Sequence, residues 1–220
     1  MGIGAAPPAV GDPVRLTRTR LSIFPLPGAL LFPGMHLPLH IFEPRYRAMM
    51  SDAMARDRRI GMIQPRPDGD PDDPELFDIG CVGRIAEFEA MEDGRYNLIL
   101  EGVALFRVVN ELDVSTAFRQ VEAELLPVEE DQTLALGERS SLELESKRFA
   151  EALGYAVDWD SVGRLDDAAL VNGVAQIAPF DVAAKQALLE SKGISARCEL
   201  LVQLMQFFGR HDGDERVTLQ

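Results

Sequence analysis

Residues 24–50 read FPLPGALLFPGMHLPLHIFEPRYRAMM, and no other stretch limits the fold of this chain as tightly. Prolines stand at 25, 27, 33, 38 and 44 in a run otherwise apolar enough to be core. Each proline fixes φ and removes a backbone donor, so the run is neither one continuous helix nor one central strand. It must be short extended pieces joined by turns. Pro44 suits the first turn of a helix, where its missing N–H costs nothing, and RYRAMMSDAMARD follows with Tyr46, Met49, Met50 and Met54 on one face.

Around this helix the signals are strands. LSIF (21–24), LPLHIF (37–42), IGMIQ (60–64), GCVGRIAEFEAM (80–91) and YNLILEG (96–102) are apolar or alternating runs bounded by Gly, Pro and Asp. Asp93-Gly94 is a favoured two-residue hairpin turn, because both residues tolerate positive φ. RQVEAELLPV (119–128) alternates Val121, Ala123 and Leu125 with Gln120, Glu122 and Glu124, which predicts one face on a core and one in water. Residues 66–78, with five acids before Leu76 and three prolines, read as an exposed, mobile loop.

After Pro127 the periodicity becomes helical. Residues 129–154 predict one long helix carrying Leu142, Phe149 and Leu153 and ending near Gly154. Residues 165–177 put Leu170, Val174 and Ile177 on one stripe, stopped by Pro179. Asp181 is a natural N-cap for VAAKQALLESK, and Gly193 a natural residue just past its end. Ser195 can cap a last helix whose Leu200, Leu201, Leu204, Met205 and Phe208 form a broad apolar face. The organisation is therefore α+β: an N-terminal tail (1–19), a β-rich subdomain with one helix (20–128), a helical subdomain (129–211) and a C-terminal tail (212–220).

With 220 residues, roughly 70% of the unfolded chain's surface can be buried without disulfide or metal support. No stretch approaches the ~20 apolar residues of a membrane span, and neither a secretory leader nor a myristoylation signal is expected. Cys81 and Cys198 form no CxxC pair and read as buried free thiols of a cytoplasmic protein. The net charge of −14 disfavours nucleic acid as a partner. Residues 1–66 nonetheless carry nine Arg against four acids, read as a solvated rim. Residues 67–135 carry four Arg against eighteen acids.

Catalytic templates find no footing. There is no GxxxxGK[ST], GxSxG, HExxH or GxGxxG. Ser146-Lys147 and Ser191-Lys192 are helix neighbours pointing about 100° apart, so neither forms a dyad by itself. His36, His40 and Glu43 are ligand-type side chains, but on an extended segment they span too far for one ion. No cofactor or metal is expected. The candidate binding residues are His36, His40, Glu43, Arg45, Tyr46 and Arg47, with Glu43 or Arg45 also suited to bracing the strand-to-helix corner.

The opening stretch resembles the start of the Lon protease N-terminal domain, a module also found in cereblon and in free-standing bacterial proteins. The resemblance continues through IGMI (60–63), GCVGRIAEFEAMEDGRYNLILEGVALFRV (80–108) and LVNGVAQIAPFDVAAKQALLE (170–190). It implies a β-rich pseudo-barrel followed by a helical bundle. It also implies a part in substrate recognition and assembly. A complete Lon protease continues into ATPase and Ser–Lys peptidase modules, and no P-loop or credible dyad is present here. The resemblance thus points to a noncatalytic module for an unfolded polypeptide or a specific protein partner, bound in an open groove between the two lobes, with homo-oligomerisation left open. The alternative is a small-molecule sensor with a deep, closed pocket in that crevice. A hydrolase built on His36 or His40 would need those histidines beside a nucleophile in one cavity.

Overall fold

The computed structural model describes residues 18–68, 70, 73–127 and 132–215, with side chains through 209. In chain order the elements are β1 (Arg18–Pro25), β2 (His36–Ile41), α1 (Pro44–Ala55), β3 (Arg59–Ile63), β4 (Ile79–Ala90), β5 (Tyr96–Glu111) and β6 (Gln120–Leu125). Then come α2 (Leu136–Leu153), α3 (Trp159–Val162), α4 (Asp167–Ile177), α5 (Val182–Glu190) and α6 (Ile194–Glu215). Helices follow strands, giving the expected α+β architecture. The expected subdomain boundary at 128–129 lies outside the described residues.

β5 is the strand on which the sheet closes. One edge pairs with β4 from Tyr96 to Arg107. The other pairs first with β2, from Tyr96 to Glu101, and then with β6, from Phe106 to Glu111. Since β4–β3, β3–β1 and β1–β6 also pair, five strands form a closed ring and β2 hangs on the first half of β5. This is the pseudo-barrel. Its interior holds Leu21 and Ile23 of β1, Ile63 of β3, Val82 of β4, Phe106 of β5, and Val121 and Ala123 of β6.

β5 runs nine residues beyond the Gly102 at which the sequence suggests an end. Gly102 is not a breaker. A Cβ there would strike the carbonyl of Phe32, so the glycine permits a close backbone approach inside a continuing strand.

The prolines of the opening stretch divide it as expected, with β1 ending at Pro25 and Pro44 at the first turn of α1. The connection between β1 and β2 nevertheless does more than turn. Leu30 and Phe32 are buried in the helical core, while Leu31, on the opposite side, is buried in the core beneath α1. Alternation in one extended tripeptide thereby staples the barrel to both of its neighbours. Polar groups complete the junction with the helices. Gln64 donates to Gln186 at 3.0 Å and accepts from the Gly28 N–H at 3.0 Å, and Gln186 donates to the Ile79 carbonyl at 3.1 Å.

Several sequence expectations need correction. Gln120 is buried, not water-facing, because its amide oxygen accepts from Arg20 at 2.5 Å and its nitrogen donates to Thr116 at 3.1 Å. Ile177, in the last turn of α4, is 78% exposed, because the buried face of that helix lies along Leu170, Val171 and Ala175. Ser195 is inside α6 and donates to Glu138 at 3.3 Å; the first turn of α6 is closed instead by the Gly193 carbonyl, which accepts from the Arg197 N–H. The acidic loop has a zipped neck: Pro65 bridges Leu76, Arg66 N–H donates to the Glu75 carbonyl and Phe77 N–H to the Gln64 carbonyl. Its residues 69, 71 and 72 lie outside the described residues. Asp181 caps α5 as read, accepting from Ala184 N–H at 2.7 Å, and Gly154 ends α2 with φ 74°.

Cys81 and Cys198 are buried free thiols, and burial pushes them up to about 12 and about 11. Among the described residues no helix is long and apolar enough to cross a membrane.

Candidate functional site

A groove of ≈ 670 Å³ lies beside β2. It lies almost wholly on the barrel, and only Val182 of α5 reaches it from the helical side. The expected groove between the lobes is thus displaced, because the lobe junction is filled by Leu30, Phe32 and the Gln64–Gln186 bonds. What remains at that junction is a pocket of ≈ 190 Å³ beside Asn172 and Arg197 and a cleft of ≈ 490 Å³ beside Leu189 and Lys192.

The groove's lining includes the segment Pro38–Phe42 and Phe24–Pro27 at the end of β1. The loop prolines Pro65, Pro67 and Pro74 form another wall. Proline walls are rigid, apolar and free of N–H donors, so they offer packing surface without competing for backbone bonds. Phe42, also in the lining, is 60% exposed.

The polar end is the strand-to-helix corner. The Glu43 carbonyl accepts from the N–H groups of Tyr46 and Arg47, and the Glu43 carboxylate accepts from Arg45 at 2.9 Å. The Arg45 guanidinium lies 4.6 Å from the centre of the Tyr46 ring, which packs on Phe24 at 4.2 Å. Burial raises the Tyr46 hydroxyl above its ordinary range, partly offset by the Arg45 charge. Glu43 and Arg45 therefore brace the corner while also facing the groove. Arg119 braces another wall, donating to Glu111 at 2.6 Å through Nε and to the Pro74 carbonyl at 2.7 Å. Its bond to Glu111 holds the guanidinium proton more tightly than usual.

Of the six candidate residues, His40, Glu43, Arg45 and Tyr46 line the groove. His40 is oriented by Asn97, whose Oδ1 is 2.7 Å from Nδ1, and by Arg95, which approaches Nε2 at 3.4 Å. His36 sits outside, facing Glu101 across β2–β5. Arg47 turns away to the β4–β5 hairpin, where its guanidinium occupies the space a Cβ on Gly94 would need. Among the described residues no cluster of three or more metal-type ligands forms, and no Ser, Thr or Cys joins His40 in the groove's lining.

Sequence reading missed Phe42, Arg119 and the loop prolines. Phe42 had a signal: alternation from His36 through Pro38 and His40 carries the exposed face to position 42. Arg119 and Pro74 had none, being 45 residues apart along the chain.

Residues 20–206 match the family model for the ATP-dependent protease La (LON) substrate-binding domain. This chain belongs to the Lon substrate-binding domain family. Relatives include Lon protease 2 of Myxococcus xanthus, 28% identical over 84% of this chain and 23% of that protein. Lon protease of Escherichia coli (strain K12) is 26% identical over 89% of this chain and 26% of its own length. The chain thus spans about a quarter of the curated relatives it matches. Among solved structures, a Lon N-terminal domain protein from Xanthomonas campestris superposes with a TM-score of 0.63 at 21% identity, covering 84% of this chain and 98% of that one. The N-terminal domain of the Mycobacterium avium complex Lon protease gives 0.63 at 18% identity, over 86% and 98% of the two chains. The Lon N-terminal fold is common to all three, and the match to the longer relatives is confined to their substrate-binding part.

Proposed function

We infer that this Lon substrate-binding domain is a noncatalytic module that holds polypeptide. The observation that carries the reading is the ≈ 670 Å³ groove, lined by proline and aromatic side chains that include the exposed Phe42. An open, apolar trough of this kind suits an extended chain. Membership of a family described by substrate binding supports the same role. The peptidase and ATPase activities of full-length Lon proteases are not assigned to it, because the resemblance reaches only the substrate-binding segment. Unfolded polypeptide is the proposed partner; nucleic acid and membrane are not proposed. The acidic balance of −14 is the support for leaving nucleic acid out.

The small-molecule alternative finds less support, since the cavities at the lobe junction, ≈ 190 Å³ and ≈ 490 Å³, are both smaller than the groove on the barrel. The test is titration with a reduced, carboxymethylated model protein. Binding at micromolar concentration, with suppression of its aggregation, is expected. The absence of both would overturn the reading.

A further inference from the structure

β2 has one unpaired edge, and the groove runs along it. The Met35 carbonyl accepts from the Gly102 N–H at 2.8 Å. In the antiparallel register that follows, Leu37, Leu39 and Ile41 stand opposite Leu100, Leu98 and Tyr96. Antiparallel alternation gives these three the backbone bonds with β5. Pro38, opposite Ile99, has no N–H to give, which fits the same parity. His36, Pro38 and His40 therefore turn their backbone groups outward. His36 shows this directly, because its carbonyl accepts from the Gln176 amide on α4 at 2.7 Å. The Pro38 carbonyl and both backbone groups of His40 are left without a strand partner, and both residues line the groove.

The chemistry of the walls selects the occupant. The groove's guanidinium groups are each already neutralised: Arg45 by Glu43, Arg119 by Glu111 and Arg66 by Asp78. These pairs leave the groove's arginines no unpaired charge to offer a strongly acidic ligand. Apolar side chains meet proline and phenylalanine, and an extended backbone meets free donors and acceptors. Pro38 blunts the edge at one donor, as natural edge strands often do against self-association, but leaves the acceptor in place.

We propose that the groove takes an extended, uncharged stretch of polypeptide as an added strand, hydrogen-bonded to β2 at Pro38 and His40. The proposal rests on the polypeptide-binding reading and adds its mode: main-chain bonds supply the attachment, so recognition tolerates many sequences provided they are extended and apolar.

Two comparisons test it. The first uses the unaltered protein and an acetylated, amidated nine-residue peptide of alternating valine and threonine. Its counterpart is the depsipeptide with the same side chains and ester links in place of the amides. Removing the N–H donors should weaken binding by about tenfold or more, the loss of one to two hydrogen bonds. Equal affinities would overturn strand addition while leaving polypeptide binding intact. Binding of neither would overturn both. The second comparison sets His40→Pro against His40→Ala. Proline removes the outward N–H, and alanine removes only the imidazole. A loss about tenfold larger in the proline variant than in the alanine variant is expected, with unchanged melting verifying the fold, and equal loss in both would count against a backbone role. A dimer by sedimentation, with the His40 amide protected from exchange in the absence of peptide, would assign the edge to a second copy and overturn the proposal.

Discussion

The Lys185 ammonium, on α5, donates to the carbonyl of Gly28, in the connection after β1, at 2.8 Å. Its second bond goes to the Gln176 carbonyl at 3.3 Å, and among the described residues no carboxylate pairs with it. A buried cation thus ties the barrel to the helices through neutral acceptors alone. Burial accordingly lowers its pKa below the ordinary 10.5.

Replacing Lys185 by Met keeps the apolar stem but leaves two carbonyls without their donor. The expected cost at pH 7 is about 1–3 kcal/mol. The pH dependence has a definite sign. Where the folded pKa is depressed, the unfolded chain binds the extra proton between the two values, so stability rises with pH across that window. Wild type should therefore gain on Lys185→Met as pH climbs towards 10.5, measured as the difference in urea midpoints. A difference constant from pH 7 to 10 would contradict this.

Gly102→Ala and Gly137→Ala should act in opposite directions. At Gly102 the new methyl meets the Phe32 carbonyl, and backbone cannot give way as a side-chain tip can. The expected loss is about 3 kcal/mol, because relieving the clash displaces the stapling tripeptide. At Gly137, in the first turn of α2, a Cβ meets nothing within 4 Å, and the higher helix propensity of alanine should add about 0.5–1 kcal/mol. Denaturant unfolding reads both.

Asp167, in the first turn of α4, accepts from the Leu134 N–H at 2.9 Å and from Arg139 at 2.5 Å. The Leu134 bond and then Arg139 hold its carboxyl below the usual 3.8. A depressed carboxyl contributes stability that is complete above its unfolded pKa and lost as pH falls through the folded value. Asp167→Asn should cost about 1–2 kcal/mol at pH 7, and the two proteins should converge in acid below that range. Parallel melting curves down to pH 2 would refute the assignment.

Phe42→Ala should separate binding from folding. The ring is 60% exposed, so unfolding should shift by no more than about 0.5 kcal/mol. Affinity for the carboxymethylated model protein should fall by about tenfold if the ring is an anchor in the groove. Unchanged affinity would remove Phe42 from the site.

Local features were readable because their causes are local. Pro44 starts α1, Asp181 caps α5 and Gly154 ends α2 through properties of one residue and its immediate neighbours. The resemblance carried by residues 24–50 was equally legible, since proline spacing and apolar alternation survive as a pattern in the chain. Phe32, by contrast, reads as another apolar residue before a proline, and only the packed barrel shows that it joins β5 to the helices.

What the sequence alone determined is the α+β order, the caps and turns, most core faces and the family. The tertiary structure decided where the concavity lies, which strand edge is left open and which of the candidate residues meet. The physical reason is range. Propensity and periodicity act over a few residues, whereas the groove is closed by Arg119 holding Pro74 and bounded by Phe24 against Tyr46, contacts fixed only once the ring of strands has closed.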